Sequence, residues 1–260
     1  ANTTGADNTA LGAYALDANT TGSRNTGVGL NSGGGITTGT NNSSLGAYSN
    51  WKVTTGTHNT AIGDAALSSV TTATHNTACG QGALNANTGA NNTAVGSQSL
   101  TANTTAANNT AVGSSALAAN TTGTSNAALG VNSLLTNTTG SSNVAIGQQA
   151  LNGSTTASNN TAVGFQSLIA NTTGTRNVGV GSVAGQNVTT GNYNICIGYD
   201  SRTSAVGSSA QIVIGDSVTG TANNAVFIGT SAGHVRNDFL ADATWDQVSD
   251  VRKKTNIEDN

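Results

Sequence analysis

Apolar and polar positions recur along this chain with a nearly constant period. A phrase such as Asn109-Thr110-Ala111-Val112-Gly113 returns from end to end, and its closing glycines stand 17 residues apart, except for one step of 16 and a last step of 14. The closing glycines are Gly12, Gly29, Gly46, Gly63, Gly80, Gly96, Gly113, Gly130, Gly147, Gly164, Gly181, Gly198, Gly215 and Gly229. A period of this size predicts a stacked, quasi-one-dimensional fold rather than a globule around one core.

Two neighbouring positions of each repeat differ in size. The residue before the closing glycine is always apolar and mostly β-branched, as at Val112, and the residue before that is small in most repeats, as at Ala111. Neighbouring residues of a strand point to opposite faces. We therefore expect the large column to line the inside of each coil and the small column to face other copies of the chain.

The rest of the repeat completes a coil. Asparagine stands four residues before the glycine in twelve consecutive repeats, from Asn8 to Asn194, which predicts a ladder of stacked amides. A second short strand is expected after the glycine, with leucine at its fourth position (Leu117), and Asn-Thr-Thr-Gly turns return the chain. The prediction is an all-β protein, a parallel β-roll or β-solenoid of about 13–14 coils with a 17-residue period.

Composition supports association and excludes some partners. Aromatic residues make up 3% of the chain and charged residues 7%, so one copy buries little apolar surface and oligomerisation is expected. The net charge of −3 argues against nucleic acid as a partner. No segment is apolar enough to insert into a membrane, and no cofactor is expected. Paired carboxylates are missing from the shaft, since Asp7, Asp17 and Asp64 are scattered over separate coils, so no polysaccharide hydrolysis is expected.

Three aromatic residues near the start are candidates for receptor binding. Tyr14, Tyr48 and Trp51 flank turns where the repeat is irregular, because Gly33-Gly34-Gly35 replaces the leucine segment of the second coil. Such side chains stack well on sugar rings. The alternative is that they fill gaps left by the irregular coils.

Histidines and cysteines offer weaker candidates. His58 and His75 occupy the same position in adjacent coils and could chelate a metal, but an exposed turn edge is the favoured explanation and no metal site is expected. Cys79 and Cys196 stand too far apart to pair in a straight roll and are expected to be buried apolar residues. The threonine column that includes Thr110 could order water on a flat face, but it shares a face with the large column and is therefore expected inside.

The repeats resemble two groups of surface fibres. The phrases Asn143-Val144-Ala145-Ile146-Gly147 and Asn109 to Gly113 are similar to the heads of trimeric autotransporter adhesins. The longer phrase Asn-Thr-Ala-x-Gly-x-x-Ala-Leu-x-x-Asn-Thr-Thr-Gly, seen at residues 109–123, resembles repeats of bacteriophage tail fibres. The resemblance implies a homotrimeric fibre of left-handed rolls that contacts a host-surface polysaccharide or receptor and other virion tail proteins. It places the protein in the virion, with the bacterial cell surface as the alternative.

The C-terminal segment resembles a different module. Residues 249–257, Ser-Asp-Val-Arg-Lys-Lys-Thr-Asn-Ile, are similar to the opening of the intramolecular chaperone domain that ends phage tail spikes and endosialidases. The resemblance implies one self-cleavage, with Ser249 as nucleophile, Lys254 as its partner and Ser249-Asp250 as the scissile bond. No other enzymatic activity is expected.

These features divide the chain into five parts. Residues 1–64 form irregular first coils, residues 65–185 a regular shaft, and residues 186–233 tapering last coils or a cap. A terminal segment covers residues 234–249, and residues 250–260 begin a truncated chaperone domain. Residues 234–260 hold ten of the 19 charged side chains, which marks the boundary.

The favoured function is a structural, receptor-facing segment of a phage tail fibre. A bacterial trimeric adhesin head is the alternative, because the repeats fit both. A polysaccharide-degrading spike and an ice-binding solenoid are less favoured.

A precursor that continues into a complete chaperone domain should be cut once at Ser249-Asp250. Ser249→Ala and Lys254→Ala should each leave an uncut, assembled product, because neither residue lies in the repeats. Mass spectrometry of the expressed precursor measures the cut. A wild-type product that retains its whole C-terminal domain would contradict the assignment.

Overall fold

One sheet runs through the whole described molecule. The computed structural model describes residues 2–238 and 246–248, and those residues contain no helix. Sixteen strands lie in chain order from β1 to β16. They are Thr9–Leu11, Thr26–Val28, Ser43–Leu45, Thr60–Ile62, Thr77–Cys79, Thr93–Val95, Thr110–Val112, Ala127–Leu129, Val144–Ile146, Thr161–Val163, Val178–Val180, Ile195–Ile197, Ile212–Asp216, Ala225–Thr230, Gly233–Asp238 and Asp246–Val248.

Strands β1 to β14 stack in parallel, each one repeat above the last. Equivalent positions pair, so Thr93 lies opposite Thr110 and Val95 opposite Val112. The 16-residue step keeps the same register, with Thr77 opposite Thr93. The predicted parallel β-solenoid with a period of about 17 residues is therefore confirmed. Its handedness and its assembly into trimers stay predictions.

The two faces of each strand are the reverse of those we expected. The small column lies inside the coil, where Ala111 and Ala145 are fully buried, and the large column faces outward, where Leu129 remains 48% exposed. The prediction that branched residues fill each roll was wrong. The interior is too narrow for them, because the opposite side of the coil already supplies a leucine to the same space.

That leucine enters from a turn and not from a second strand. Leu117 is fully buried, as are its equivalents Leu100 and Leu134. The segment after the closing glycine is a series of turns in which Ser115 and Leu117 adopt left-handed backbone angles, with φ of 55° and 52°. The predicted second strand is therefore absent from the described repeats, and each coil contains one strand. Left-handed leucine is costly for the backbone, and burial of its side chain offsets that cost.

Buried asparagines connect successive coils. The side-chain oxygen of Asn109 accepts a hydrogen bond from the backbone N–H of Asn126 at 2.9 Å, and its side-chain amide donates to the backbone carbonyl of Gly123 at 2.9 Å. The same pair of bonds recurs along the solenoid, for example at Asn143. The predicted stacking of amide on amide is also present, since the Asn143 side-chain amide donates to the side-chain oxygen of Asn126 at 3.2 Å. The ladder in addition binds backbone groups of the next coil, which would otherwise be buried without a partner.

The closing glycine meets two demands at once. Gly113 has φ of +133°, and a Cβ there would lie 2.6 Å from the carbonyl group of Gly130 in the next coil. Coils can therefore approach each other at strand spacing only where this side chain is missing.

The C-terminal end of the solenoid closes differently. Strand β15 turns back antiparallel to β14, and β16 pairs antiparallel with β15. Phe227 is fully buried and packs with Cys196 and Val213 in a separate core. In the sequence the small column turns large at Val213 and Phe227, which suggests an interface rebuilt between copies, but both side chains lie inside the coil. Strand β15 covers the edge that β14 would otherwise expose.

Replacing Asn109 by alanine should destabilise the solenoid. The change leaves the N–H of Asn126 buried without a partner and removes one of two bonds to the carbonyl of Gly123, which keeps the bond from Asn120, so we expect a loss of about 1–3 kcal/mol in the free energy of unfolding. Thr105→Ala, at an exposed site nearby, is the control and should cost less than about 0.5 kcal/mol. Urea unfolding followed by circular dichroism measures both. Equal effects would show that the ladder does not hold the coils together.

Candidate functional site

The outward large column forms a continuous apolar stripe. This outer stripe consists of Leu11, Val28, Leu45, Ile62, Cys79, Val95, Val112, Leu129, Ile146, Val163, Val180, Ile197, Ile214 and Ile228. Each member is uncharged, and Leu11 and Leu45 are exposed by 68% and 50%. Because the strands pair in register, successive members lie next to each other along the sheet. Soluble monomers rarely expose an uninterrupted apolar surface of this extent.

A second column accompanies the outer stripe on the same face. The threonine column, which we expected inside, faces outward: Thr9, Thr77 and Thr110 are exposed. It becomes apolar toward the C-terminus, where Val178 and Ile195 replace threonine and are half-buried. The face therefore combines threonines with apolar residues over most of the solenoid and becomes apolar toward the C-terminal end.

The three aromatic receptor candidates come together on the first three coils. Tyr14 is 65% exposed on the first coil, and Tyr48 and Trp51 are exposed on the third. The rings of Tyr48 and Trp51 pack edge to face, with their centres 5.5 Å apart and their planes at 79°. The Lys52 ammonium lies 5.3 Å from the centre of the Trp51 ring. Of the three aromatic residues, Trp51 lines the gap left by the second coil.

That gap is a notch of about 520 Å³. Asp17 of the first coil and Trp51 and Lys52 of the third line it, while the second coil contributes its floor through Gly34 and Gly35. Residues 33–35 are the only run of three glycines in the sequence, and this run was the signal for the notch. We had not assigned Asp17 and Lys52 to a site. Their contribution depends on how the coils stack.

The two histidines do stack, as their repeat position predicts. The His58 and His75 rings are parallel within 3°, with centres 4.8 Å apart, and both residues are exposed. Arg176 and Tyr193 occupy the same position in later coils and also stack, at 5.3 Å. Stacking therefore follows from coil spacing. No group of three or more metal-ligating side chains occurs among residues 2–238, and metal binding at the pair stays a prediction.

The cysteines lie on different faces. Cys196 belongs to the small column and is fully buried, as expected, and burial raises the pKa of its thiol from 9.0 to about 12. Cys79 belongs to the outer stripe and is only half-buried, contrary to expectation. Both thiols are free.

The C-terminal candidates Ser249, Asp250 and Lys254 lie outside the described residues, so the self-cleavage assignment stays a prediction. Within the part of the chain that the structure describes, no helix is long and apolar enough to cross a membrane.

The chain matches no known family, no curated protein and no solved structure. The outer stripe and the notch are therefore the features that bear on function.

The two cysteines should differ in reactivity. In native protein, a water-soluble maleimide should not modify Cys196 even at pH 9.5, because its raised pKa keeps the buried thiol protonated until the pH approaches about 12. Cys79 should react in any form of the protein that leaves the outer stripe uncovered. Denatured protein, in which both thiols react, is the control. Mass spectrometry after labelling distinguishes the sites, and native labelling of Cys196 would contradict its placement inside the coil.

Proposed function

We propose that this chain is a structural, receptor-facing segment of a fibre, in which three parallel copies meet on the outer stripe. The observation that supports this most is the stripe itself, which is apolar from Leu11 to Ile228 and faces away from the core of its own coil. The single interface that it defines is as long as the molecule. Such geometry suits a fibre better than a globular enzyme.

The outer stripe is large enough for a stable interface. Fourteen positions at a spacing of about 4.8 Å make it roughly 60 Å long. A strip of that length needs a width of about 13 Å to reach the roughly 800 Å² per partner of a standard interface. A three-residue strand is about 10 Å wide, and the flanking turns supply the remainder.

A second copy of the chain is the partner that fits best. Another copy presents the same side chains at the same spacing over the same length, so every position can find an apolar neighbour. The absence of charge from the stripe allows identical surfaces to meet without repulsion. The apolar flank at Val178 and Ile195 adds to this contact near the C-terminus. The resemblance of the repeats to trimeric fibres is the reason for proposing three copies.

This proposal changes the interface that we expected from the sequence. Copies meet on the large column, and the small column stays inside each roll. The association itself is still needed, because the apolar residues that one copy cannot bury are those of the outer stripe.

The setting we propose is the tail fibre of a bacteriophage, with attachment to glycans of the host surface. The repeats and the chaperone-like segment 249–257 support it. A bacterial adhesin head remains the alternative, since the stripe would serve both equally. Expression of the gene together with virion genes would favour the former.

A second function has one specific observation in its favour. The threonine column faces outward beside the outer stripe, and regular outward threonines on a flat sheet can order water. This face cannot both bind ice and pack against other copies. An ice-growth assay on the purified protein distinguishes the two, because a trimer with its stripe covered should not shape ice.

Val112→Asp should prevent assembly while leaving the coil folded. The side chain points outward, and three carboxylates would meet without partners if copies packed on the stripe. Ser114→Asp is a matched control in the same coil, at a position where another coil carries Asp64. We expect a monomer for the first variant and the wild-type trimer for the second. Sedimentation equilibrium with circular dichroism measures both, and a folded wild-type monomer would contradict the proposal.

A further inference from the structure

The notch between the first and third coils arises because side chains are missing from the second. Five residues after the closing glycine, Gly34 lies between Asp17 and Trp51 of the neighbouring coils. Two coil spacings make about 10 Å between the backbones of those two residues. The glycines thus leave open a space that is one coil deep and bounded by side chains of different chemistry.

The floor of the notch is closely packed, most tightly at Gly35. A Cβ on Gly35 would lie 2.4 Å from the backbone oxygen of Trp51, and one on Gly34 would lie 3.2 Å from the backbone oxygen of Asn31. The backbone of the adjacent residues therefore forms a closely packed base. A ligand in the notch would rest on a surface that is already formed.

One wall of the notch is an aromatic platform held in place. Trp51 is 41% exposed, the Tyr48 ring packs edge-to-face with it, and the Lys52 ammonium lies near the ring. These contacts restrict the indole before any ligand arrives, so less conformational entropy is lost on binding. A large, rigid and exposed aromatic surface is suited to stacking against the C–H face of a sugar ring.

The other groups in the notch are polar. Asp17 stands on the opposite wall, Asn31 and Lys52 also line the space, and together they supply both hydrogen-bond acceptors and donors. One carboxylate and one ammonium leave no net charge. A ring with an apolar face and a rim of neutral hydroxyl groups matches this arrangement, and a volume of about 520 Å³ accommodates one or two such rings.

We infer that the notch of the first three coils is a saccharide-binding site that takes a neutral pyranose, stacked on Trp51 with hydroxyl groups bound by Asp17 and Asn31. The inference rests on the proposed attachment function only for its biological purpose. The notch is built within one copy, and no residue that lines it belongs to the outer stripe. Binding can therefore be tested separately from assembly.

The probes are the methyl glycosides of glucose, galactose, mannose and N-acetylglucosamine, with glucuronate as a charged comparison. Saturation-transfer NMR and tryptophan fluorescence should show saturable binding of at least one neutral glycoside to the wild-type protein, with a Kd on the order of 1 mM. Glucuronate should bind no more tightly. The absence of saturable binding by every neutral probe, or tighter binding of glucuronate, would overturn the inference.

Variants locate the binding. Trp51→Ala should weaken it by about tenfold or more, Trp51→Phe should retain part of it, and Asp17→Asn should weaken it by a smaller factor. Tyr199→Ala is the matched control, because Tyr199 is an exposed aromatic residue, 57% accessible, on a distant coil. Binding unchanged in Trp51→Ala, or lost equally in Tyr199→Ala, would overturn the site.

Sedimentation of the same samples separates this inference from the fibre proposal. Trp51→Ala should keep the oligomeric state of the wild type, since the residue lies off the outer stripe. Saturable binding by a wild-type monomer would support the notch and contradict the trimer. A trimer that binds none of the neutral glycosides would support the fibre proposal and contradict the saccharide site.

Discussion

The buried asparagine ladder is the interaction on which the remaining structure depends. In each coil it supplies an acceptor to the next strand and a donor to the next turn, at the point where the backbone leaves the sheet. In the regular coils the apolar interior is mainly alanine and one leucine, so apolar burial alone fixes the register weakly. An unpaired buried amide or carbonyl is costly. The need to pair these buried hydrogen-bonding groups therefore fixes the distance between successive coils and their register.

The irregular coils show how strongly this constraint acts. Where the period falls to 16 residues, the ladder bond from Asn92 to Asn76 is kept at 2.9 Å. The missing residue is absorbed in the turn, where Asn87 bonds to Gly89, two residues away, and not three away as Asn103 does with Ala106. Turn length changes while the ladder does not. At the C-terminal end Gln211 occupies the asparagine position: its N–H still bonds to the side-chain oxygen of Asn194, but its own side chain bonds to Ser204 and Asn223.

A narrow core has consequences for function. Because each regular coil of the shaft already encloses a leucine beside its small column, the branched residue before the closing glycine lies outside, and these residues form a surface along the full length of the solenoid. The same repetition makes the shaft chemically uniform. Distinct chemistry appears where the repeat is broken, as at the three glycines, so a structure used for recognition has its selective site at an irregularity.

The sequence by itself determined the repeat, and with it the parallel β-solenoid, the 17-residue period and the positions of strand, closing glycine and asparagine. These follow from spacing alone, because identical residues at a constant interval must stack in register. The alternation of side chains along a strand likewise established that Ala111 and Val112 face opposite sides of the sheet. It could not establish which of the two residues lies inside the coil, since both are apolar.

Only the tertiary structure decided that question. The repeat predicted that Leu117 lies in a second strand, yet it adopts left-handed backbone angles because its side chain fills the core opposite Ala111. Once that space is occupied, Val112 has no room inside. The notch shows the same limit, because Asp17 and Trp51 are 34 residues apart and become neighbours through the stacking of coils. Periodicity reveals which residues align, but the volume of the interior decides where each side chain goes.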